Sequence, residues 1–179
     1  MKAVVLDLDE TLGAFTAFSQ YVKDVSPYLV TSTLFVQLLD RNPEYLRPGI
    51  LEVLRFLGDN RRLGRCKLAL YTNNQNPVWV KLVVFYLETK VGGLFDRVVH
   101  CYGAEKKRTG HAKCVADLLA CTSWPKQTRF FFIDDQHHPG MVAPTVEYFQ
   151  IAPYAQPCPA AFPQTRELMR RATRFLQAA

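Results

Sequence analysis

The run Ala3-Val4-Val5-Leu6 passes directly into Asp7-Leu8-Asp9-Glu10-Thr11-Leu12. A short buried strand that ends in carboxylates at alternate positions sends both toward one crevice, and ligands of open α/β sheets bind beyond the carboxyl ends of the strands. Two carboxylates that close repel each other unless a cation or a shared proton relieves them. The pair therefore suggests a divalent metal, one nucleophilic group and one proton-handling group. Three later stretches carry further chemistry-bearing residues. Lys67-Leu68-Ala69-Leu70-Tyr71 runs into Thr72-Asn73-Asn74. There a hydroxyl and the Asn73 backbone N–H could bind anionic oxygens, although Thr-Asn-Asn by itself reads as a loop capping the helix that Pro77 begins. Phe130-Phe131-Phe132-Ile133 ends in Asp134-Asp135, and Lys106, Lys107 and Lys113 all precede it. One of these lysines could supply the cation that a charged site needs. His137 and His138 follow the acids in a loop, where an adjacent pair is more often bland than functional.

The elements that must position these residues are legible as apolar runs alternating with longer helical patterns, the signature of βαβ units. Strands are predicted over 2–6, 67–71, 97–101, 129–133 and 147–151, and helices over 50–57, 77–89, 112–120 and 164–177. Continuous rather than alternating hydrophobicity in the strands fits a sheet covered on both faces. The expected fold class is α/β: a doubly wound, mainly parallel sheet with helices on both faces. At 179 residues, 49% of them hydrophobic, the chain can bury one core, so 1–179 reads as a single domain. Residues 13–46 form an insertion after the first strand. Within it Phe15, Phe18, Val22 and Val25 keep helical spacing, Pro27 interrupts, and Leu34, Phe35, Leu38 and Leu39 resume. Its apolar face is expected to pack on the sheet. The Pro-rich stretch 139–163 is expected to wrap one edge strand, and Trp79 and Trp124 read as packing residues.

Composition narrows the functional classes. No apolar stretch is long enough to span a bilayer, so no membrane partner is expected. The five cysteines (Cys66, Cys101, Cys114, Cys121, Cys158) form no Cys-x-x-Cys pair, which reads as reduced thiols in a cytoplasmic or nuclear compartment. Cys114 and Cys121 lie seven apart on the predicted helix and read as core. The net charge of +6 favours acidic partners. It leaves nucleic acid open as a partner, but no nucleic-acid-binding signature is present.

Taken in order, the four stretches resemble the motifs of the haloacid dehalogenase superfamily, in its phosphatase form with an Asp two residues after the nucleophile. Asp7-Leu8-Asp9-Glu10-Thr11-Leu12 resembles the first motif and the strand ending in Thr72 the second. Lys113 resembles the third-motif lysine, and Asp134-Asp135 the fourth motif. Arg47-Pro48-Gly49 before an apolar helix is similar to the branch related to RNA polymerase C-terminal-domain phosphatases (the NLI-interacting-factor-like branch). The resemblance runs from about residue 2 to residue 152. The second Asp at 135 departs from the Asp-Asn that often occurs in that branch.

The resemblance implies roles. Asp7 would be the nucleophile that forms an aspartyl-phosphate. Asp9 would protonate the leaving oxygen and then act as base on the hydrolytic water. Thr72 and the Asn73 N–H would bind the transferring phosphoryl oxygens. Lys113, rather than Lys106 or Lys107, would offset their charge from the first turn of a helix. Mg²⁺ would be held by a side-chain oxygen of Asp7, the backbone carbonyl of Asp9, and Asp134 or Asp135. Residues 13–46 would occupy the place of a small flap bordering the site. The implied activity is a Mg²⁺-dependent phosphomonoester hydrolase. Without a large cap its site is open, as suits a protein phosphatase acting on phosphoproteins. A small-molecule or nucleic-acid-end phosphatase is the alternative within the class, and a non-catalytic phosphate-binding module the alternative outside it. Asp9 argues against a dehalogenase, and the missing cap against a phosphomutase.

Overall fold

A computed structural model of the chain describes residues 1–26, 30–101, 107–155 and 161–178. Five parallel strands form one sheet: β1 (Lys2–Leu6), β2 (Lys67–Tyr71), β3 (Arg97–Val99), β4 (Arg129–Asp134) and β5 (Val146–Gln150), in the order β3-β2-β1-β4-β5. The helices are α1 (Phe15–Val25), α2 (Ser32–Arg41), α3 (Ile50–Arg62), α4 (Pro77–Val91), α5 (Val115–Thr122) and α6 (Ala161–Gln177).

Alternate strand residues serve the two faces of this doubly wound sheet. Val4, Leu6, Leu68, Leu70, Phe131 and Ile133 belong to the larger core, shared with α1, α2, α3, α4 and α6. Ala3, Val5, Ala69, Tyr71, Phe130 and Phe132 belong to a second core with Leu118 of α5 and Met141. Both faces are dry, so the strands carry apolar residues without interruption. The chain steps outward from β1 through α3 to β2 and through α4 to β3. It then returns across the opposite face by way of α5 to β4. Right-handed crossovers require that change of face when the direction of winding reverses. The reversal leaves a switch point between β1 and β4, where a crevice opens at the carboxyl ends of the strands.

Several predicted boundaries move. The 50–57 helix continues to Arg62, the 97–101 strand stops at Val99, and the last strand starts at Val146 rather than 147. The predicted 112–120 helix begins at Val115, so Lys113 precedes it instead of lying in its first turn. Cys114 is its N-cap, with Sγ accepting from the Asp117 N–H at 3.4 Å. Cys114 is thus a capping residue and not a core position on the helix.

The apolar face of the 13–46 insertion joins the larger core of the sheet, and its aromatic residues also pack on α4. The Phe18 ring lies 5.5 Å from Phe35 and 5.9 Å from Trp79 of α4, and Phe35 lies 5.2 Å from Trp79. Asp40 of α2 accepts from the Tyr86 hydroxyl at 3.0 Å and pairs with Lys90 at 2.7 Å, both on α4. Trp79 is a packing residue as expected, and Trp124 stacks on Phe130. The described part of 139–163 supplies edge strand β5 and a buried Tyr154. Pro27, Lys106 and Cys158 lie outside the described residues. The other four cysteines are free, and among the described residues no helix is long and apolar enough to cross a membrane.

Candidate active site

Register builds the centre of the crevice. Leu6 of β1 is paired with Ile133 of β4, so the next residues, Asp7 and Asp134, emerge side by side. The Asp7 N–H donates to the Ile133 carbonyl at 2.9 Å and extends the ladder by one rung. Both carboxylates are buried. Lys113, 2% exposed, reaches between them from the loop before α5, and its Nζ donates to Asp7 Oδ1 and to Asp134 Oδ2, the latter at 2.7 Å. Lys107 is exposed. Of the lysines weighed from sequence and described here, Lys113 is the one inside the site.

Lys113 is held there by a glycine. The backbone of Gly140, in the turn Pro139–Met141, passes so close that an added Cβ would lie 2.6 Å from Cys114 Cβ and 2.8 Å from the Lys113 carbonyl. Backbone cannot yield to such a contact without moving. Gly140→Ala is therefore expected to displace Lys113 from Asp7 in a crystal structure, and to cost about 1–3 kcal/mol in thermal denaturation, the usual scale of overpacking.

The proton-handling half of the site lies one residue beyond Asp7. Asp9 Oδ2 accepts from Asn74 Nδ2 at 2.9 Å, while its Oδ1 is buried with no hydrogen-bond partner among the described residues. Glu10, next in the chain, has φ of +59°, a conformation that costs a non-glycine residue about 1 kcal/mol. Its N–H donates to the Gly13 carbonyl at 2.9 Å, turning the chain sharply after Asp9. Thr11, fully buried, donates from its hydroxyl to Asp135 Oδ1 at 3.1 Å and accepts from the Asp135 N–H at 3.1 Å. That reciprocal pair ties the turn after β1 to the end of β4.

Thr72 ends β2 fully buried, and its hydroxyl oxygen accepts from the Asn74 N–H at 3.0 Å. Asn76, not Thr72, caps α4, by accepting from the Val78 and Trp79 N–H groups. Thr72 is thus released from the capping role that sequence alone allowed it. Buried Arg108 braces this loop. Its guanidinium donates to the carbonyls of Thr72 (3.1 Å), His100 (2.7 Å) and His111 (2.9 Å) and to Asn73 Oδ1 (2.7 Å).

Asp7, Asp9, Thr72, Asn73, Lys113 and Asp134 line one cavity of about 220 Å³, with Glu10, Thr16, Asn74 and Gln136 completing the wall. Thr16 opens α1, so the 13–46 insertion borders the cavity at that point. A groove of about 250 Å³ between α3 and α6, lined by Val53, Met169 and surface charges, holds no comparable cluster.

The electrostatics divide the carboxyls by task. Burial pushes Asp7 up to about 7 against the pull of Lys113, and Asp134 pushes it the same way. Burial also raises Asp9, with only partial relief from Asn74. Burial and the neighbouring Asp134 raise Asp135. Burial would raise Asp134 as well, but His138, Lys113 and the Gln136 N–H outweigh it and hold its carboxyl below the usual range. His138 Nε2 lies 3.3 Å from Asp134 Oδ2, within ion-pair distance but off the line of a hydrogen bond. Burial would lower Lys113, yet Asp7 and Asp134 more than offset it, so the ammonium stays charged.

Ligand oxygens of Asp7, Asp134 and Asp135 lie within 4.8 Å of one another. Three hard oxygens beside an excess of negative charge suit Mg²⁺, which takes oxygen ligands and keeps several waters. The Asp9 side chain is not part of this triad and is occupied with Asn74. All seven residues singled out from sequence (Asp7, Asp9, Thr72, Asn73, Lys113, Asp134, Asp135) converge on this crevice. The roles of Asn74, Arg108 and His138 were not read from sequence. Asn74 has a signal in the strand-end Thr-Asn-Asn, whereas buried Arg108 sits in a basic stretch that reads as solvated surface.

No family model, curated protein or solved structure matches this chain.

Proposed function

We propose that the chain is a Mg²⁺-dependent phosphomonoester hydrolase of the haloacid dehalogenase type, acting on phosphoproteins. The observation that carries this reading is the buried contact of Lys113 with both Asp7 and Asp134, beside an Asp9 whose Oδ1 has no partner among the described residues. A carboxylate, a fixed cation and a proton donor then line one cavity.

Asp7 attacks phosphorus and forms an aspartyl-phosphate, and the bond from phosphorus to the leaving oxygen breaks. Asp9, whose carboxyl burial raises above its ordinary value, gives its proton to that oxygen. It then takes one from the water that cleaves the acyl phosphate. Thr72 and the Asn73 N–H receive phosphoryl oxygens, on a loop stiffened by Arg108. Lys113 neutralises charge shared by the nucleophile and the transferring group. Asp7, Asp134 and Asp135 are the residues that would hold Mg²⁺, which supplies charge neutralisation and orients the phosphoryl group. The cavity, bordered by Thr16 of α1, suits a phosphorylated side chain presented on a protein. The four free thiols fit a reducing compartment, cytoplasmic or nuclear.

The test is hydrolysis of p-nitrophenyl phosphate and of phosphopeptides with Mg²⁺ and with EDTA. Turnover with metal and a fall of at least a hundredfold with EDTA is the expected result. A folded protein that hydrolyses neither, or one indifferent to EDTA, overturns the reading.

A further inference from the structure

Arg47 has no part in that chemistry, yet it is 1% exposed and spends its donors on main-chain carbonyls. Its Nε donates to the Thr11 carbonyl at 2.6 Å, and its Nη2 to the carbonyls of Glu10 at 2.8 Å and Ala152 at 2.7 Å. The Glu10 carbonyl accepts a second bond from the Tyr154 N–H at 2.7 Å. The Tyr154 ring lies under the guanidinium at 5.4 Å, and its hydroxyl donates to the Glu44 carbonyl at 2.7 Å. Three segments distant in sequence are thereby joined: the turn after β1, the approach to α3 and the chain leaving β5.

The turn so gripped contains one strained residue. Glu10 and Ser123 are the two non-glycine residues with positive φ among those described, and Ser123 is the ordinary left-handed cap of α5. Glu10 sits immediately after Asp9, and two donors converge on its carbonyl. A residue held in a sparsely populated conformation persists only when its surroundings over-determine it. We propose that Arg47 is a positioning residue for Asp9: its fork holds Glu10 left-handed, and that turn sets the Asp9 carboxyl against Asn74 and the cavity. The kinetic test rests on the phosphatase reading; the geometry does not.

Lysine keeps the charge of Arg47 but cannot reproduce its planar fork. Loss of the grip lets Glu10 relax to negative φ and swings Asp9 away from the leaving oxygen. A p-nitrophenolate departs with little help, whereas an alkoxide must be protonated as it leaves. In single-turnover release of the leaving group, the step in which Asp9 acts only as acid, Arg47→Lys is therefore expected to stay within about threefold of wild type on p-nitrophenyl phosphate and to lose about thirtyfold or more on a phosphoserine peptide. KM should stay unchanged for both. Adding Glu10→Gly to Arg47→Lys should restore about tenfold on the peptide, because glycine enters the left-handed region freely.

Equal losses on both substrates in the leaving-group step of a folded Arg47→Lys chain, or no loss on either, overturn the proposal. If Arg47→Lys does not fold, Glu10→Val with Arg47 intact decides, since a β-branched residue resists positive φ. The same selective loss supports the proposal and an equal loss overturns it. If the wild type hydrolyses neither substrate, the phosphatase reading fails by itself. The structure of Arg47→Lys then decides: Glu10 still at positive φ with Asp9 on Asn74 overturns the grip, and a flipped Glu10 upholds it.

Discussion

Asp7→Asn is expected to abolish hydrolysis, by about a thousandfold or more, and at the same time to make the metal-free protein more stable. The amide cannot attack phosphorus, so the kinetic effect follows from the role of Asp7. The stability effect follows from charge. Asp7, Asp9, Asp134 and Asp135 crowd one crevice around a single bonded ammonium, that of Lys113. Burial raises Asp7 to about 7, so the folded chain keeps a proton that the unfolded chain releases near its ordinary value of 3.8. The fold therefore binds more protons than the unfolded state between those limits, and its stability falls as pH rises from about 4 to about 7. The asparagine variant lacks that loss and should be more stable by about 2 kcal/mol above pH 7. Denaturant titrations of both chains in EDTA at pH 5 and pH 8 check the sign. A gain that grows with pH is expected, and a variant destabilised at both pH values would overturn the charge balance. On the proposed reading the same titration would govern metal binding, because Asp7 must lose its proton to act as ligand. The apparent Mg²⁺ affinity should weaken by about tenfold per pH unit below 7, measurable by calorimetry.

Lys113→Met should abolish turnover as thoroughly while moving stability the other way. Removing the ammonium leaves Asp7 and Asp134 adjacent, buried and without their shared cation. Breaking a buried ion pair from one side costs about 3–5 kcal/mol. Lys113 pulls both carboxyls down, Asp7 against its burial and Asp134 together with His138. If Mg²⁺ binds the folded state as proposed, it replaces part of the missing charge, and the deficit measured in EDTA should shrink when metal is added. Thermal melts with and without Mg²⁺ decide it. Equal deficits in both buffers would mean that the metal does not bind beside Lys113.

The opposite signs of these two substitutions illustrate what could be read before the fold was known. Strands β1 and β2 were legible to the residue, because a dry parallel strand announces itself as a short unbroken apolar run and the acids or hydroxyl mark its end. The start of α5 was not. Ala112 and Lys113 are good helix formers and extended the pattern backward. Asp117, however, is committed to Thr109, accepting from its N–H at 2.9 Å and from its hydroxyl, and Cys114 caps the helix instead. Lys113 is thereby left free to turn into the crevice. Arg47 was noticed only as part of a motif, and Arg108 as one more surface charge. A guanidinium is expected in water, and nothing local shows that either one is buried among carbonyls.

The position of β1 at the middle of the sheet also governs how the protein is made. β1 leaves the ribosome first, but one of its two neighbours is β4, which starts at Arg129. Until that strand emerges, the nascent chain has one flank of β1 open and Asp7 without Asp134. The crevice thus assembles only after β4 has emerged. Pairings so distant in sequence also slow folding, and an uncovered apolar strand is an aggregation hazard meanwhile. Codon choice alters this interval without altering a single residue: slower translation just before Arg129 prolongs the exposure, and faster translation shortens it.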